Sequence, residues 1–409
     1  MEFTSDIERG CGIDVHKDTV VATIAGKGLK KQTKEFSTYT GSLTCLRDWL
    51  TDNGVTHAAI ESTGVYWKPV FNIIGNDVKL ILVNARHIKH VPGRKTDIKD
   101  SEWICQLLLS GLLRASFIPP KDIRELRDMT RYQLKLQQQI TAEKNRIIRE
   151  LEDANIKLSS VLNDVFGSTG SKVINAIIEG ENDPEELVQF YHKRMKVSRN
   201  EFKEALKGRL TEHHRFMLRQ MKKRILSIEE QMEEIDCEID KRVAPYENVI
   251  ELLTGIPGVK RKGAIGIISE IGIDMSVFEN EHHLASWAGL SPGNNESAGK
   301  KKSARTTSGD KYLKALIVEL AWAGSRTKNT FFRAKYDSLI RRRGKKRALI
   351  AVGHKILCAA YHILSEKVPY KEVGAEYLEK RKQKNRIEKL KRELKEFGYK
   401  AIPEDLYAA

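Results

Sequence analysis

At 409 residues the chain is long for one compact core, so two or three domains are expected, each large enough to fold unaided. Lys and Arg number 71 against 55 Asp and Glu, a formal charge of +16, which points to a polyanionic partner, nucleic acid first, through counterion release and steering. There is no run of roughly 18 or more apolar residues and the opening MEFTSDIERG lacks a signal-peptide core, which argues against a membrane partner and for a cytoplasmic protein.

Five scattered cysteines, Cys11, Cys45, Cys105, Cys237 and Cys358, form no C-x-x-C pair, so neither a disulfide framework nor a zinc ribbon is indicated. Reduced structural thiols are expected. The histidine pairs His213-His214 and His282-His283 are adjacent in sequence and point to different faces of a helix, so no shared metal site is expected at either.

Residues 11–113 read as alternating strands and helices. Strands are predicted at Gly12–Val15, Thr19–Ala25, Lys34–Thr38, Ala58–Glu61 and Lys79–Val83, with helices at Ser42–Asn53, Val65–Gly75 and Asp97–Leu113. Two hairpins followed by crossovers imply a mixed sheet covered by helices, and the order β-β-β-α-β-α-β-α matches the ribonuclease H fold. From Arg124 to about Leu158 the pattern becomes one long helix, with Leu126, Met129, Leu136, Ile140, Ile147, Leu151, Ala154 and Leu158 near a heptad seam that Gln133 and Glu143 interrupt. A second run, Met221, Ile225, Ile228, Met232, Ile235, Ile239 and Val243, is unbroken. The two can pair with each other or across subunits, each extending on the order of 40 Å at ~1.5 Å per residue. The stretch IIEGENDPEELVQFYHKR between them, with its acidic Pro-containing turn, reads as an insertion at the tip of this arm.

Four carboxylates stand out in the first segment. Asp14 interrupts the apolar strand GIDV, Glu61 ends the apolar strand HAAIE, and Asp97 and Asp100, three apart at a helix start, share one face. Helix capping accounts for Asp97 alone, but not for four acids at one end of a sheet. A buried carboxylate needs a partner, and several together need cations; hard oxygen ligands suit Mg²⁺ or Mn²⁺, and two such ions ~3.5–4 Å apart support in-line phosphoryl displacement.

LLTGIPGVKRKGAIGIISEIG, residues 252–272, reads as helix, tight Gly-Pro-Gly turn, helix, similar to the helix-hairpin-helix module. Such a turn meets phosphate through backbone amides, with Lys260, Arg261 and Lys262 beside it. The segment from Ser291 to Gly309 is rich in Gly, Ser, Asn and Lys and is expected as a mobile loop between helices. By composition alone Ser297 in it is a solvated turn residue. Lys300, Lys301, Lys302 and Arg305 follow, and Arg341, Arg342, Arg343, Lys345, Lys346 and Arg347 cluster in a turn before an apolar helix, as a nucleic-acid backbone contact would. No base-reading motif appears, and the tail EKRKQKNRIEKLKRELKEFGYK reads as a charged, solvated helix whose cations could also touch phosphate.

The blocks GIDVHKD, IESTGVYW and GRKTDIKDSEWICQLL resemble the three acidic blocks of the DEDD insertion-sequence transposases of the one-hundred-ten group, and GLSPGNNESAGK with SGDKYLKALIVELAWA resembles their C-terminal transposase domain. The resemblance covers about residues 11–113 and 248–325. It implies a RuvC-like, ribonuclease-H-fold DEDD catalytic domain over 1–120 and a helical coiled-coil arm with an inserted tip over 121–247. After these it implies a mainly α C-terminal transposase domain carrying the serine loop over 248–370 and a charged helical tail over 371–409. It further implies Asp14, Glu61, Asp97 and Asp100 as catalytic metal ligands, Ser297 as the nucleophile, donor and target DNA as substrates, a bridge RNA that selects them, and a homo-oligomer in a bacterial cytoplasm, at the nucleoid. The two halves of the site would then meet across subunits. Two other readings compete: a RuvC-like junction endonuclease in which water attacks and Ser297 is idle, and a non-catalytic nucleic-acid-binding protein.

Overall fold

The computed structural model describes residues 7–61, 64–83, 100–113, 115–293, 295–297, 300–303, 305–306 and 309–399, with 295–297 and 300–303 described through their backbone. The chain divides into two compact units, residues 1–118 and 119–409.

The first unit is a five-stranded mixed sheet. Its elements are β1 (Arg9–Val15), β2 (Thr19–Gly26), β3 (Leu29–Ser37), α1 (Thr40–Asp52), β4 (His57–Glu61), α2 (Trp67–Ile74), β5 (Lys79–Val83) and α3 (Asp100–Leu109). The strand order is β3-β2-β1-β4-β5, antiparallel on the β2 side of β1 and parallel on the β4 side. Alternation sets the two faces. Cys11, Ile13, Val20, Ala22, Ile24, Ala58 and Ile60 pack with Leu43, Leu46 and Leu50 of α1 and Val70 and Ile74 of α2. On the other face Ala59 and Val83 pack with Ile104, Leu107 and Leu108 of α3. Among the described residues the element order is the one read from the sequence. β3 begins at Leu29, earlier than the predicted Lys34, because it is a polar edge strand with little burial to signal it, and because glycines in the left-handed region, Gly26 and Gly28, make the tight turn before it.

Among its described residues, the regular structure of the second unit is helical apart from one hairpin. A 33-residue helix, α4 (Lys121–Asp153), lies antiparallel to the 32-residue α6 (Glu212–Val243). Leu136, Ile140, Ile147 and Leu151 of α4 share a core with Leu218, Ile225 and Ile228 of α6. The polar interruptions of the first seam are answered across this pair: Gln133 Nε2 donates to Asp236 at 2.6 Å, and the buried Glu143 meets Arg224 at 3.0 Å. Pairing of the two runs within one chain is therefore what the structure shows. Between them, α5 (Ser168–Glu179) and the short helices Leu158–Val161, Pro184–Leu187 and Arg199–Ala205 close over the far end of the same core. Asp183 caps the Pro184 turn through Glu185 N at 2.9 Å.

Then follow α7 (Glu247–Thr254), α8 (Arg261–Ile271), α9 (Glu281–Trp287), β6 (Asn295–Ser297), β7 (Lys300–Ser303), α10 (Lys311–Gly324), α11 (Phe331–Arg343), α12 (Lys345–Glu366) and α13 (Tyr377–Glu396). By length and composition α12 is apolar enough to cross a membrane, with mean hydropathy 1.4, but half of that stretch is buried within the protein. Ala348, Val352, Ile356 and Leu357 have no exposed surface, as suits a core helix.

Candidate active site

Asp14 and Glu61 occupy neighbouring parallel strands. Ile13 of β1 is in register with Ile60 of β4, and both point into the α1/α2 core. The next residue on each strand therefore points to the opposite face, where α3 lies. Glu61 also marks the end of the β4 pairing, opposite Val83 of β5.

Gly12 decides how α3 crosses that face. A Cβ there would lie 2.1 Å from the Ser101 carbonyl oxygen and 2.3 Å from the Cys105 amide nitrogen, so only glycine lets the helix backbone touch the strand. Ser101 Oγ bonds Thr23 Oγ1 at 2.9 Å, and the Cys105 thiol donates to the Gly10 carbonyl at 3.4 Å. Ser101 lying over Gly12 and Cys105 reaching Gly10 make α3 antiparallel to β1. Its first residue, Asp100, thus stands at the sheet edge where Asp14 and Glu61 are.

The structure brings these three to one edge, while Asp97 lies outside the described residues. Their oxygens do not form a tight cluster: among the described residues, the set of His, Cys, Asp and Glu side chains with three ligand atoms all within 4.8 Å is a different one. Asp14, 17% exposed at its side chain, has a partner that the sequence reading passed over: His16 Nε2 is 3.1 Å from Asp14 Oδ2. The signal was the spacing of two, which puts His16 on the Asp14 side of the extended chain. Glu102 turns away to Lys31, 3.1 Å distant. Burial holds the Cys11 thiol well up and pushes that of Cys105 to about 11, so both of these thiols stay protonated and add no negative charge.

Ser297 lies in the second unit. The segment expected as a mobile loop is instead a β-hairpin: Ser297 pairs with Lys300 and Asn295 with Ser303, and below them Pro292 bridges Thr306 and Gly293 N donates to Arg305 O at 2.8 Å. Composition misled here because a two-stranded ribbon satisfies its own backbone polar groups without burying side chains. Lys300, Lys301 and Lys302 form the returning strand, and Arg305 is exposed at its base.

The base of the hairpin is fixed by ion pairs. Asp310 caps α10 through Tyr312 N and Leu313 N, both at 2.9 Å, and also accepts from Arg131 Nη2 at 2.9 Å. Arg131 in turn forks onto the buried Glu270 of α8 at 2.7 and 2.6 Å and stacks on Tyr312. Arg127 donates to the Ser269 and Glu270 carbonyls at 3.0 and 2.5 Å.

The predicted phosphate contacts separate into two groups. In the Gly-Pro-Gly turn, Gly258 adopts positive φ of 91° and its missing Cβ would lie 2.3 Å from Gly324 N, so the turn is packed on the end of α10. The Gly255, Ile256 and Val259 amides are bonded within the turn. Arg261 is paired with Asp240 at 3.0 Å and with Glu247, and Lys262 with Asp236 at 2.9 Å, which leaves Lys260 as the exposed cation of the three with no ion pair of that kind. By contrast Arg341, Arg342 and Arg343 end α11 and Lys345, Lys346 and Arg347 start α12, all exposed around Gly344; they are helix ends rather than an irregular turn.

This basic surface becomes concave where three helices meet, which no sequence run signals. Lys335, Arg342, Lys355, Arg381 and Lys382 line a cavity of 530 Å³ between α11, α12 and α13, and no described residue lining it is acidic. Burial, and then Lys355, Arg381, Lys382 and Arg342, hold the Lys335 ammonium below its ordinary value. A group so placed gains when an anion enters.

Residues 11–156 match the DEDD transposase of the IS110 type, and residues 250–337 match the transposase IS116/IS110/IS902 family. The chain belongs to the IS110 family of transposases. Among curated proteins it is 28% identical over 187 residues to the pilin gene-inverting protein of Moraxella bovis, covering 44% of this chain and 55% of that one. It is 32% identical over 123 residues to that of Moraxella lacunata, covering 29% and 38%. The matched stretch thus spans about half, or less, of each relative's length.

Proposed function

We propose that the protein is the recombinase of an insertion sequence, cutting and rejoining DNA strands with Ser297 as nucleophile and Asp14, Glu61, Asp97 and Asp100 as ligands for Mg²⁺ or Mn²⁺. The observation that carries this reading is the convergence of Asp14, Glu61 and Asp100 on one sheet edge by way of the Gly12 contact. An all-oxygen, anionic donor set fits a hard divalent cation and no other common cofactor. When bound, such an ion supplies Lewis-acid stabilisation of phosphoryl oxygens. The first unit is then a RuvC-like member of the ribonuclease H fold, and the second divides into a helical arm, a transposase domain and a charged tail.

The protein's own residues account for the rest. Ser297 Oγ attacks the phosphorus, the bond to the 3′ oxygen breaks, and that oxygen leaves with the proton that Ser297 gave up. A phosphodiester is exchanged for a serine phosphodiester, so no external energy source is needed, and attack by a second 3′ hydroxyl restores Ser297 and joins the strands. Lys300, Lys301, Lys302 and Arg305 lower the charge around the phosphate. Lys260, Arg341, Arg342, Arg343, Lys345, Lys346 and Arg347 hold backbone without reading bases. Gene inversion, named for the two Moraxella relatives, is a rearrangement of this kind. Sequence choice by a bridge RNA, a homo-oligomer with acids and serine from different copies, and a cytoplasmic place of action at the nucleoid complete the proposal.

The test is incubation with DNA carrying the native flanks of the gene, with and without transcript of those flanks. Joined products that require both transcript and divalent metal are expected. Cut strands that are never joined would favour a junction nuclease, and no metal-dependent change at all would leave only a binding protein.

A further inference from the structure

We propose that His282, His354 and Cys358 form a second, chemically different metal site, one fitted to Zn²⁺ or another borderline-soft ion. Their ligand atoms all lie within 4.8 Å of one another. His354 and Cys358 are one turn apart on α12, with Nδ1 and Sγ separated by 3.5 Å, and His282 comes from the first turn of α9. Donors of a tetrahedral zinc centre stand about 3.5 Å apart, given bonds of about 2.0–2.3 Å, so the thiol and one imidazole already have the spacing and His282 needs a side-chain rotation.

Other features suit the same use. Asn280 Oδ1 accepts from the His282 and His283 amides at 3.0 and 2.9 Å, which fixes the backbone that carries the outer ligand. His283 turns instead to Phe278, so the adjacent histidines do face apart and the partner of His282 comes from another helix. Glu281 lies beside the three, its carboxylate 3.6 Å from His282 Nε2. Cys358 is buried, His354 half-buried and His282 exposed, which grades the site from interior to solvent and gives an ion a way in.

Thiolate with imidazole selects zinc or cobalt, whereas the carboxylate edge of the first unit selects magnesium or manganese. The ion would clamp α9, which leads into the Ser297 hairpin, onto the core helix α12. This inference rests on side-chain geometry alone and stands whether or not the recombination proposal does.

The experiment is titration of chelator-treated full-length protein with Co²⁺, read by absorption. One equivalent should give the visible bands of tetrahedral cobalt and a thiolate-to-cobalt charge-transfer band in the near ultraviolet, both displaced by Zn²⁺. Cys358→Ser should remove the charge-transfer band, and His282→Ala, at an exposed position, should weaken binding by about 10–100-fold or more without altering the fold. Asp14→Asn should change neither. No charge-transfer band at saturating Co²⁺, or a band that persists in both Cys358→Ser and His282→Ala and so arises from the exposed Cys45 or Cys237, would overturn the proposal.

Discussion

Gly12 and Asp14 sit two residues apart on one face of β1, and the smaller residue governs what the larger can do. Any Cβ at Gly12 meets the Ser101 carbonyl and the Cys105 amide, both backbone atoms that cannot rotate aside. Gly12→Ala should therefore cost about 1–3 kcal/mol, read by denaturant unfolding, and should also displace Asp100 and depress DNA cleavage. Asp14→Asn should leave stability almost unchanged while lowering cleavage by about 10²–10³-fold in a strand-cleavage assay. Asp14 and Glu61 stand out in the sequence because an apolar residue precedes each on its strand, and Asp100 because it opens a helix, while Asp97 lies outside the described residues. His16 does not stand out, since attention to burial alone leaves out an exposed side chain that bonds a half-buried one. Lys335 was equally hidden: its significance depends on Lys355, Arg381 and Lys382, which reach it from two other helices.

On the scale of elements, the Ser297 hairpin depends on what lies beneath it. Glu270 is 3% exposed, and Arg131 satisfies it while also holding Asp310 at the start of α10. Replacing one member of a buried ion pair leaves the other charge uncompensated. Arg131→Met should destabilise the second unit by about 3 kcal/mol in chemical denaturation, and the double variant with Glu270→Gln should recover a large part of that loss. Both long helices were legible from heptad spacing. The partner of each was not, because an apolar seam is blind to whether it closes within a chain or between chains. Within the chain the interruptions match in antiparallel order, Gln133 with Asp236 and Glu143 with Arg224. The hairpin itself escaped prediction because polar two-stranded ribbons carry no burial pattern.

At the scale of the whole molecule, part of the +16 charge is gathered into a concave basic surface where α11, α12 and α13 converge. Neutralising Lys335, Arg381 and Lys382 together should weaken DNA or RNA binding uniformly across sequences and reduce the slope of log affinity against log salt by about 2–3. With the acids in the first unit and Ser297 in the second, a mixture of Asp14→Asn and Ser297→Ala chains offers a test of a shared site: partial recovery of joining is expected, and no recovery would argue for a site completed within one chain.

The most direct measurement of the central claim is mass spectrometry of the protein after reaction with native-flank DNA and nuclease digestion. A nucleotide remnant esterified to Ser297 is expected, present with Mg²⁺ and absent in Asp14→Asn. Cleaved DNA without any protein-linked remnant, or a remnant on another residue, would contradict the account.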